Sequence, residues 1–222
     1  TRYIGVTGVQ TCALPISIST SALAGLSAAT QVGKLTTAQV VALTTYQVSK
    51  LTTAQVAALS TEQVSKLSSD QLSVMTTAQV TAIEVADLAV LTTSALSAIT
   101  TTQAAKLTTS QIVALTSAQA ASLTTDAVSA LNSAQVAAFE TADLAQISTA
   151  SLASLSTAAL AGLSTAQVAG MGTAQVVNLT TDQVAVLSTN NIRALTTPLA
   201  KSTRRVTVQP PPLWPPTTPT LA

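Results

Sequence analysis

The sequence predicts an all-α solenoid, a superhelix of short capped helices with one helix per eight-residue repeat. Three observations predict it: an unbroken octad, a capping signal inside each octad, and charges sorted along it. From Leu35 the chain reads LTTAQVVA, LTTYQVSK, LTTAQVAA, LSTEQVSK, and keeps that register without insertion to Ala194, which is twenty octads. Position 1 is always Leu, Ile, Met or Phe. Position 2 is usually Thr or Ser, position 5 most often Gln, and position 6 usually Val, Leu or Ile. Two looser units precede the array, at 18–25 and 26–34, and a degenerate one follows at 195–202.

One continuous helix cannot carry this pattern. Eight residues advance about 800°, so the apolar positions drift about 80° per repeat and form no stripe. The break falls at position 2, where Ser or Thr followed three residues later by Gln is a capping box. Leu at position 1 and Val at position 6 are then placed as a hydrophobic staple. Leu59-Ser60-Thr61-Glu62-Gln63-Val64 contains the whole device. Positions 3 to 8 are left for about one and a half helical turns.

Charge placement agrees. Glu62, Asp70, Glu84, Asp87, Asp126, Glu140, Asp143 and Asp182 all fall at positions 2, 4 or 5. Lys50, Lys66 and Lys106 fall at position 8 and Arg193 at position 7. Anions at the start and cations at the end of each unit suit the helix dipole. The alternative architecture is a β-solenoid with 16-residue coils, favoured by the Thr and Val content. Against it, simple alternation would put positions 1 and 6 on opposite faces of a strand. Helices this short are unstable alone, so each octad must bury its Leu and Val against neighbouring octads, leaving a Ser/Thr/Gln surface.

A longer period overlies the octad. IEVADLAV at Ile83 and FETADLAQ at Phe139 lie 56 residues, or seven octads, apart. Block duplication and a structural superperiod both account for it.

Composition narrows the function. Charged residues are 8% of the chain and aromatics 2%, whereas globular proteins carry about 25% charged residues. Between residues 35 and 194 there are four basic and eight acidic side chains, a net −4 that disfavours phosphate and hence nucleic acid. No apolar run is long enough for a transmembrane helix. The absence of histidine removes the commonest general base and metal ligand. The acidic pairs Glu84/Asp87 and Glu140/Asp143 read as first-turn helix charges in preference to weak cation sites. Tyr46 and Phe139 read as packing variants. The expectation is therefore no enzyme, with no catalytic, cofactor-binding or metal-binding residues and no cofactor. Thr-rich rows raise ice or surface adsorption only for the β-solenoid.

Both ends depart from the array. Residues 6–16, Val-Thr-Gly-Val-Gln-Thr-Cys-Ala-Leu-Pro-Ile, resemble a reading frame through a sequencing adapter. On that basis 1–17 is a non-native segment, and Cys12, the single cysteine, is artefactual. The expected domains are 1–17, the solenoid 18–202, and a proline-rich linker or disordered tail 203–222 carrying Pro210-Pro211-Pro212-Leu213-Trp214-Pro215-Pro216.

The L-[ST]-T-x-Q-V-x-[AK] octads resemble repeat regions of large bacterial surface and secreted proteins labelled as adhesion or haem-utilisation proteins. That resemblance implies an extracellular or cell-surface location and a role as stalk, spacer or adhesive surface. It carries over no haem ligand: Met75 and Met171 occupy position 1, where a core Leu normally sits. Self-association into filaments, or ligand recognition through positions 3, 4 and 7, is the alternative role. The implied partners are neighbouring repeats or further copies of the chain.

Overall fold

The computed structural model describes residues 19–28 and 30–195. Within them the chain forms twenty α-helices, from Thr20–Ala24 to Thr181–Ala185, with one 3-10 turn at Val32–Lys34. Residues 189–195 are again helical, and there is no strand among the described residues. The β-solenoid alternative is thereby overturned, and with it the ice-binding face that needed it. The adapter-like segment and the proline-rich tail lie outside the described residues.

Each octad folds as its capping signal directs. Position 2 is the N-cap and is extended, with Thr52 at φ −75°, ψ 159°. The helix begins at position 3 and ends at position 6, 7 or 8, as in Thr61–Val64, Thr53–Ala57 and Thr37–Ala42. In the Ser60 octad the Gln63 N–H donates to Ser60 Oγ (3.3 Å) and the Ser60 N–H donates to Gln63 Oε1 (2.7 Å). Asn132 substitutes for the hydroxyl cap through its own side-chain oxygen. At each junction a 3-10-type bond turns the chain, as in Leu59 N–H to the Val56 carbonyl at 3.1 Å.

The core is continuous. It is built mainly from the residues at positions 1 and 6, with Leu59 and Val64, Leu67 and Leu72 or Phe139 and Leu144 as successive pairs, and takes in Ala95, Ala127 and Ala159 where position 5 is alanine. The small side chains Ala104 and Ala120 are also buried at position 6.

The path of the superhelix follows from what stacks on what. Thr93–Ser97 packs on Ser117–Ser122, and Thr109–Val113 on Ser133–Ala138, each three octads further on. Side-chain bonds between coils run back 28 and 31 residues, as from Gln111 to Ile83 and to Val80. The chain therefore lies above itself after about 28 residues, three and a half octads. Seven octads close two turns, so residues 56 apart recur on the same face. This gives the 56-residue period a structural meaning.

Glycines mark where coils approach most closely. A Cβ on Gly162 would collide with the Ser133 carbonyl oxygen in the coil below. Gly172, by contrast, meets only Gln175 Oε1, at 3.8 Å. We expect Gly162→Ala to lower stability by roughly 1–3 kcal/mol through overpacking. Gly172→Thr should raise it by a few tenths of a kcal/mol by restoring a hydroxyl cap. Urea denaturation followed by circular dichroism checks both signs.

Candidate functional site

The polar side chain that recurs inside the array is the position-5 glutamine. The sequence marks it as a capping residue and groups it with the surface. The structure keeps the cap and corrects the surface: Gln55, Gln103 and Gln111 are each 1% exposed. The reason is stoichiometric. A primary amide has an acceptor oxygen and two N–H donors, and the capping box uses only the oxygen. The donors point into the coil below.

Gln111 shows the arrangement in full. Its Oε1 accepts the Thr108 N–H at 3.0 Å, while its Nε2 donates to the carbonyls of Val80 and Ile83, both at 3.0 Å. The Val80 carbonyl already receives the Ile83 N–H; the position-1 carbonyl of Ile83 lies outside the helix ladder. One side chain thus satisfies an orphan donor at the start of its own helix and an orphan acceptor in the preceding coil. Gln79, Gln103, Gln119, Gln135, Gln167, Gln175 and Gln183 repeat the 31- and 28-residue bonds. Asn191, one methylene shorter, keeps the 28-residue bond to the Leu163 carbonyl. The array is held by a ladder of buried amides between coils. The repeat announces its capping half through the Ser/Thr-x-x-Gln spacing. Its bridging half depends on the superhelical radius, which no local spacing reveals.

The acidic pairs sort by position. Glu84 and Glu140 are exposed N-caps without a side-chain capping bond, and Asp87 and Asp143 are buried at N3. Asp143 Oδ1 accepts from Ser117 Oγ at 2.5 Å, in the coil below. No group of three or more His, Cys, Asp or Glu that could hold a metal occurs among the described residues. Met75 and Met171 are buried in the core at position 1, as is Phe139. Tyr46 is not a packing residue: it is 63% exposed, with Lys50 Nζ 5.3 Å from its ring centroid. None of the described helices is long and apolar enough to cross a membrane.

Among known families, the ALTTAQ repeat matches residues 40–69, 48–82, 80–117, 136–173 and 169–197. The matched stretches cover 40–117 and 136–197, more than half of the chain. No curated protein matches it.

Two substitutions separate the halves of the glutamine's role. Gln111→Ala removes both, and we expect a loss of about 2–4 kcal/mol from unsatisfied buried groups. Gln111→Glu keeps the capping oxygen but at neutral pH turns a carboxylate toward two carbonyls. That environment raises the carboxyl pKa in the folded state above its ordinary value of about 4.3. The native state then binds the proton more tightly, so the variant should gain stability relative to wild type as pH falls through that raised pKa. Thermal melts of wild type and variant between neutral pH and about pH 3 measure the difference.

Proposed function

The chain belongs to the ALTTAQ repeat family, and from that premise we propose that it is a non-enzymatic spacer or stalk segment, with an adhesive role as its finer form, of a larger bacterial surface or secreted protein. The observation that carries the spacer reading is the amide ladder. The buried position-5 glutamines donate from coil to coil, and the exposed positions are left free to vary. Position 4, exposed throughout, is Ala, Tyr, Glu, Asp, Ser, Thr or Asn. A rod needs only a soluble surface there, whereas a uniform ligand would need a uniform row.

The resemblance of the octads to repeats of surface and secreted proteins supports an extracellular or cell-surface location. We take residues 18–202 as the solenoid, 1–17 as non-native and 203–222 as a linker. With coils stacked at roughly 8–10 Å, as packed helices are, the twenty octads make a rod on the order of 50 Å long.

Deleting residues 83–138, seven octads and two turns, should leave a cooperatively folded helical protein. Its maximum dimension by small-angle X-ray scattering should fall by about 16–20 Å. Collapse of the remaining array would contradict a modular spacer. Immunolabelling of intact cells of the organism that makes the protein tests the location: surface signal is expected, and signal only after permeabilisation would overturn it.

A further inference from the structure

The last coil of the array differs from the interior at one position of the octad. From Val40 to Val168 every position-6 side chain is buried, at 0–1% exposure, with the next turn of chain lying over it. Val176 is only partly buried, and Val184 and Ile192 are 38% and 40% exposed. Position 5 behaves the opposite way. Gln175, Gln183 and Asn191 stay buried, because their amides reach into the coil below. The last described coil is therefore sealed underneath and presents Val176, Val184 and Ile192, with the partly buried Leu179, as an apolar face on top.

The path of the superhelix dictates which residues come next over that face. Helices stack on those three octads ahead, as Thr157–Leu160 does on Thr181–Ala185. In that register the segments due over Val184 and Ile192 are 203–210 and 211–218, Thr-Arg-Arg-Val-Thr-Val-Gln-Pro and Pro-Pro-Leu-Trp-Pro-Pro-Thr-Thr. They carry no octad. Their prolines lack the N–H that a helix needs and favour an extended strap instead. Their apolar residues are Val206, Val208, Leu213 and Trp214, the one tryptophan of the chain. A ring of that size suits an end face better than the thin space between coils, where Phe139 is the sole aromatic among the described core residues.

We propose that the proline-rich segment folds back as an end cap, with Leu213 and Trp214 laid on Val176, Val184 and Ile192. Trp214 stands 19 residues beyond Leu195, which is itself buried in the last coil. An extended segment of that length reaches up to about 60 Å, ample for a return across the end of one coil. Tethering keeps the effective concentration high, and a proline strap is already close to the extended conformation in which it binds. A stacked array needs such a cover on its terminal repeat to stay soluble. The cap goes beyond the linker reading of 203–222 and is independent of the spacer reading: a free linker leaves Trp214 in water.

The single tryptophan supplies the test. In the full chain its fluorescence emission should lie to the blue of that in concentrated urea, and acrylamide should quench it several-fold less; neither reading should change on dilution. Val184→Glu with Ile192→Glu should bring both readings to those of the urea-unfolded chain, while far-ultraviolet circular dichroism keeps its helical signal. Val113→Glu, at an exposed site in the middle of the array, should change neither. Should the first pair lose helicity, Val184→Thr with Ile192→Thr makes the same comparison with a smaller shift. Emission and quenching in the wild-type chain equal to those in urea would overturn the cap and leave a free linker. A blue shift that the end-face variants leave in place, or that Val113→Glu removes equally, would overturn it too. One that fades on dilution would assign the face to a second copy of the chain and overturn the internal cap.

Discussion

A helix of four to six residues has more unpaired backbone groups at its ends than hydrogen bonds within it, and the rest of this structure answers that constraint. Such a helix is unstable in water, because nucleation outweighs the few propagation steps that follow. Its first N–H groups and last carbonyls need partners from elsewhere. The position-5 glutamine supplies both from one side chain, closing its own N-terminus with its oxygen and the preceding coil's carbonyls with its nitrogen. Leucine at position 1 and valine at position 6 remove the apolar surface that drives stacking. Neither element suffices alone. Burial brings the coils together, and the amide sets which carbonyl each coil faces, and hence the superhelical register.

The same constraint explains the composition. The core between coils is thin, so Leu, Val and Ala fill it and large aromatics have no place except Phe139 at a position 1. Charges are few because they are useful only where the short helix dipole or the solvent receives them. Lys50 is the C-cap of its helix, and Glu62 and Asp70 lie in first turns. Among the described residues no group of three or more His, Cys, Asp or Glu comes together.

Much of this was legible in the residues. The Ser/Thr-x-x-Gln spacing located most of the capping boxes, and the placement of Leu and Val identified the buried pair. The glutamine's second role was not legible, because it joins residues 28 and 31 apart, a distance fixed by how the helices turn and not by any local pattern. Placing it on the surface followed from counting only its capping bond. Tyr46 was misjudged for a related reason. Position 4 faces solvent in every octad, so a large side chain there finds Lys50 on its own helix instead of a core. The 56-residue period could be seen in the sequence, but it acquired meaning only once 28 residues were seen to close a turn.

The central claim is that buried glutamine amides tie successive coils together, and side-chain amide NMR addresses it most directly. Hydrogen exchange of the carboxamide protons of Gln103, Gln111 and Gln119 would be measured in the intact chain against the same protons in urea. The account predicts strong protection of these protons in the folded chain, with nuclear Overhauser contacts from Gln111 to the Val80 and Ile83 backbone. Carboxamide protons exchanging at the free-peptide rate while backbone helices remain protected would contradict it, because the coils would then be held by apolar packing alone.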